Sequence, residues 1–153
     1  MSANNCEDET TGRTQLYFSS GRPGLGLLDI YVSEAVSDEK GDFGPPSRVA
    51  ELSTSYTDYQ PVLRRDGLEL FFASNRPGSI GTYPDLWTST RVSTLDPWSP
   101  PVSLGTLVNS DQYDFHPTLS WDGTTLIFAS ERGGPGVVWG DLWMTTRSKL
   151  KGH

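Results

Sequence analysis

Two carboxylates placed alike in the chain are the first residues that could carry chemistry. Asp58-Tyr59-Gln60-Pro61 and Asp114-Phe115-His116-Pro117 stand 56 residues apart. A carboxylate ahead of such a segment caps a turn by accepting backbone N–H bonds. Several in a ring would instead bind a cation or a basic peptide, which makes Asp58 and Asp114 candidate ligand residues. His116 takes the place of Gln60 and joins them, although a lone His is more often a neutral hydrogen-bonded side chain than a base. Arg22, Arg76 and Arg132 precede Asp29, Asp85 and Asp141 by seven, nine and nine residues. This spacing predicts an ion pair across each hairpin that fixes the loop. Three copies argue for structure, because a catalytic site is seldom present in triplicate. Trp139 precedes Asp141 and has Tyr83 as the one aromatic at its repeat equivalent, so it is a candidate to stack on a sugar or a partner side chain.

Other chemistry finds less support. Ser120-Trp121-Asp122-Gly123 falls short of the sialidase Asp-box, which needs Ser-x-Asp-x-Gly-x-x-Trp. Gly24-Leu25-Gly26 and Gly133-Gly134-Pro135-Gly136 lead into strands, without a helix N-terminus or a Lys to hold phosphate. No nucleophile–base–orienter set or metal triad is visible, so no catalytic residue and no metal site are assigned. No cofactor is expected either; Ca2+ is the one ion that the carboxylates would suit.

Composition narrows the partners. The 153 residues suffice for one domain with a core. A formal charge of −7 repels polyanions, and no basic stripe interleaves with aromatics, so nucleic acid is not an expected partner. Cys6 is the only cysteine, which excludes an internal disulfide. No apolar run approaches the ~18 residues of a membrane span. The first residues carry neither the basic nor the apolar part of an export signal, and the sequence alone leaves localisation open.

The elements that must position these residues repeat with the same step. Asp29, Asp85 and Asp141 are 56 residues apart, and each opens a short strand: Asp29 to Glu34, Asp85 to Thr90, Asp141 to Thr146. Before them lie apolar runs, Leu16 to Ser20, Leu68 to Ser74 and Thr125 to Ser130, of the kind covered on both faces of a sheet. Asp66-Gly67 and Asp122-Gly123 are hairpin signals between apolar runs, because Gly takes the positive φ such turns need. A short fourth segment is expected at Arg48 to Leu52 and at Pro101 to Leu104. A fixed period with sixteen Gly and eleven Pro predicts an all-β chain of four-stranded antiparallel units. Tyr31, Trp87 and Trp143 are expected to pack between units, and Trp98 to pin the connection that holds it.

The pattern Asp-x-x-Pro, Asp-Gly, Leu-x-Phe-x-Ser-x-Arg-x-Gly and Asp-(Leu/Ile)-(Trp/Tyr) resembles the WD40-like PD40 repeats of TolB-type β-propellers. Asp58 to Trp87 and Asp114 to Trp143 carry it best, and Leu16 to Tyr31 carries it without a first strand. The resemblance implies a partial β-propeller of about three blades, at residues 15–56, 57–112 and 113–147. A polar, flexible segment at 1–14 and a tail at 148–153 flank them. It implies a bacterial, extracytoplasmic, non-catalytic module that binds or scaffolds proteins, with a glycan as the other candidate ligand. The alternatives are a glycan-processing enzyme whose site another subunit completes, and a structural relic.

The period runs out at both ends. The first inner strand maps to the acidic Glu7-Asp8-Glu9, which would bury charge at several kcal/mol, and little follows Arg147. Ten strands are expected where three full blades need twelve. Either the chain is part of a longer propeller, or it associates through exposed faces, two chains making a six-bladed ring.

Overall fold

The computed structural model describes residues 3–7 (backbone only), 12–37, 41–134 and 140–148. Among these residues the chain is all-β, with eleven strands in three antiparallel sheets, none of them closed. The first sheet is β1 (Ala3–Glu7), β2 (Thr14–Ser20), β3 (Asp29–Glu34) and β4 (Ser47–Arg48). The second is β5 (Asp58–Leu63), β6 (Glu69–Ser74), β7 (Asp85–Thr90) and β8 (Val102–Ser103). The third holds β9 (Asp114–Leu119), β10 (Thr125–Ser130) and β11 (Asp141–Thr146). Each is a meander whose strands pair in chain order.

Eleven strands exceed the ten expected. The first inner strand ends at Glu7, ahead of the Asp8-Glu9 pair, and its backbone pairs with β2 from Ala3↔Phe18 to Glu7↔Thr14. Residues 1–14 therefore contain a paired strand where a flexible segment was expected. The turns work as their chemistry requires: Gly67 and Gly123 have φ of 70° and 71°. Asp66 and Asp122 accept the N–H of Leu68 and Thr124 at 3.0 and 3.1 Å, closing Asx turns.

The sheets stack face to face in chain order. Tyr17 and Ile30 of the first sheet pack on Leu70, Phe72 and Trp87 of the second, joined by Trp98. The opposite face of the second sheet, with Phe71, Ala73 and Leu86, packs on Leu126 and Phe128 of the third. β6 is buried at all six positions because both its faces are covered. The first strands lie side by side, β5 packing against both β1 and β9.

Two arginines stitch the stack. Arg91 donates to the Gly67 carbonyl at 2.7 Å within its sheet and to Gln15 Oε1 at 3.0 Å and Tyr17 Oη at 3.1 Å in the first. Arg147, 56 residues on, donates to the Gly123 carbonyl at 2.8 Å and grips Glu69 of the second sheet with two bonds of 2.7 and 2.6 Å. One device thus joins both pairs of sheets.

Candidate functional site

Asp58 and Asp114 open the first strands of the second and third sheets, and both are 0% exposed. Asp58 Oδ2 accepts the N–H and hydroxyl of Thr54 at 2.6 and 2.7 Å. Its Oδ1 accepts from Ser74 Oγ and Arg76 Nη2, each at 2.6 Å. Asp114 repeats this with Ser110 on Oδ2 and Arg132 at 2.7 Å on Oδ1. Every oxygen is occupied, so these carboxylates act as turn caps.

The arginines go to partners other than those expected. Arg76 and Arg132 pair with Asp58 and Asp114, in place of Asp85 and Asp141. Each also holds a carbonyl of the preceding sheet's outgoing loop: Arg76 donates to Leu52 at 2.7 Å, and Arg132 to Val108. Arg22 does not meet Asp29; its Nε donates to Ser20 Oγ at 3.1 Å, and its guanidinium lies over Phe18 and Tyr31. Asp29 instead accepts the Leu25 N–H at 2.8 Å and Asp85 that of Ile80 at 2.7 Å, so both brace turns. Each keeps one buried oxygen, Oδ1, without a protein partner. Burial pushes the Asp85 carboxyl up to about 6, aided by the nearby Asp114 charge and opposed by the Ile80 N–H. Asp141 is exposed, and Trp139 lies outside the described residues.

The residues that stand apart are Gln60 and His116. Both are left-handed, with φ of 56° and 52°, and both precede proline. That backbone is unusual for a non-glycine residue, and the following ring favours extended backbone for the residue before it. Each sits where the register with the neighbouring strand slips, a β-bulge on the first strand of its sheet. The two meet across the junction of the sheets. Gln60 Oε1 accepts the His116 backbone N–H at 2.8 Å, and Gln60 Nε2 lies 3.0 Å from the imidazole nitrogens. Burial holds the His116 imidazole below its ordinary range, which favours the neutral ring that can accept this bond.

Aromatic rings extend from the pair. Phe115 lies 5.1 Å from His116, Tyr113 6.3 Å from Phe115 and Tyr83 4.5 Å from Tyr113, between centroids. Tyr83 and Tyr113 are each 38% exposed. Tyr59 lies behind them, its phenol raised to about 12 by burial and by Tyr113 and Glu131. Together they make an exposed polar pair at the head of an accessible row of rings, suited to stacking and hydrogen bonding. Among the described residues, no group of three or more His, Cys, Asp or Glu could hold a metal ion.

Sequence reasoning picked out His116 and missed its partner Gln60. The signal lay in the two X-Pro pairs at one repeat spacing. In the sequence Tyr83 stands out only as the counterpart of Trp139, and Tyr113 carries no repeat signal. No protein-family model and no curated protein sequence matches the chain.

Proposed function

We propose that the three stacked sheets are consecutive blades of a PD40-like β-propeller, and that the chain is a non-catalytic binding or scaffolding module in the cell envelope. Its contact site is the Gln60–His116 pair with the Tyr113 and Tyr83 rings. The observation that carries this reading is the left-handed pre-proline pair, bonded across two sheets and facing outward. Backbone strain of roughly 1–3 kcal/mol per residue persists where the surroundings impose it, and it concentrates at functional sites. The neighbouring first strands and the reuse of one packing surface between sheets support the blade reading.

A protein partner with an exposed amide or hydroxyl beside an aromatic or aliphatic side chain suits this patch. The glycan-processing alternative draws on the same rings as a sugar platform, but Asp58 and Asp114 have no free oxygen for acid–base work. The test uses Gln60→Gly and His116→Gly, because glycine accepts the positive φ. Both variants are expected to fold, and to lose by at least tenfold any binding the parent chain shows on peptide and glycan arrays. Turnover of a glycan, abolished by Asp114→Asn with the fold intact, would overturn the non-catalytic reading.

A further inference from the structure

The chain carries both halves of one interface, one half at each end of its stack. The second sheet offers Phe71 and Leu86 to the third, as the first offers Tyr17 and Ile30 to the second. At the matching places the third sheet has Ile127 and Leu142, with Met144 beside Ile127. These are 39%, 81% and 71% exposed, whereas Ile30 and Leu86 are 0% exposed. The receiving half is just as recognisable. Leu70 and Phe72 of the second sheet are 0% exposed, and Arg76, 7% exposed, lies 4.8 Å over Phe72 and 5.5 Å over Trp87. In the first sheet Leu16 and Phe18 hold these places half-buried, and an exposed Arg22 lies 5.5 Å over Phe18 and 4.8 Å over Tyr31.

We propose that a second copy of this chain covers the face: Ile127, Leu142 and Met144 of one copy pack on Leu16, Phe18 and Arg22 of the next. The contact continues the interface already used twice within the chain, so the offering face of each copy meets the receiving face of the next. It is heterologous, and it gives a ring if the rotation closes or a filament if it does not. The net charge of −7 opposes association while the contact is apolar, so added salt strengthens it. The inference rests on the blade reading only for the shared packing surface and needs no ligand, so its failure and that of the binding site are told apart.

The experiment is sedimentation velocity on the full chain across a concentration series in low and high salt. Expected is concentration-dependent association, weakened at least tenfold by Leu142→Glu and by Arg22→Glu, both exposed positions. Mixing the two variants restores a one-to-one complex, because each keeps the half the other has lost. A fixed final mass supports a ring and a growing one a filament, and either supports the proposal. A monomeric parent chain at high concentration overturns it. So does association that survives both substitutions, or a mixture that stays monomeric while circular dichroism shows both variants folded.

Discussion

Replacing Arg76 by Ala would leave the Asp58 carboxylate buried without its cation. Breaking a buried pair in this way costs about 3–5 kcal/mol, so Arg76→Ala is expected to lower the urea midpoint sharply. Arg132→Ala should cost less, because the Arg132 side chain is 20% exposed against 8% for Arg76. Asp85 makes the opposite demand. Its folded pKa of about 6 lies above the unfolded value of about 3.9. Between these limits the folded chain holds a proton that the unfolded chain has released, so stability falls as pH rises through the window. The full shift sets an upper bound on this loss of about 3 kcal/mol. Asp85→Asn should flatten this slope in urea titrations from pH 4 to 7, and an unchanged slope would assign it elsewhere.

At the scale of the element, turns and strands were largely legible in the sequence, whereas side-chain partners across them were not. β3, β7 and β11 begin at Asp29, Asp85 and Asp141 as the spacing predicts, because period-two runs and Asp-Gly turns are local signals. The ion pairs were misassigned for a geometric reason. Ser74 is flanked by Asp58 on one side and Asp85 on the other, and Ser130 likewise by Asp114 and Asp141. Two carboxylates are register partners of the strand end ahead of each arginine, and linear spacing cannot choose between them. The Gln60–His116 contact depends on how sheets stack, which no single segment encodes. Close packing of turns against the next sheet gives a further test. A Cβ at Gly26 would fall inside the Tyr56 carbonyl oxygen, and backbone cannot swing aside as a side chain can. Gly26→Ala is therefore expected to destabilise the first junction by about 1–3 kcal/mol, read as a lowered thermal midpoint.

Across the whole molecule, the two junctions share a plan but differ in charge. Arg91 reaches a neutral Gln15, whereas the equivalent Arg147 grips the carboxylate of Glu69. In about 1 M salt the screening length shrinks to roughly 3 Å, and Arg147 is 33% exposed, so its ion pair weakens while the Arg91 contact changes little. Amide hydrogen exchange in high salt, at protein concentrations too low for copies to associate, should then release β9 to β11 before β2 and β3. The stack thus has a built-in order of dismantling: the third sheet is the leaf that ionic strength turns first, and the pair beneath it forms the spine.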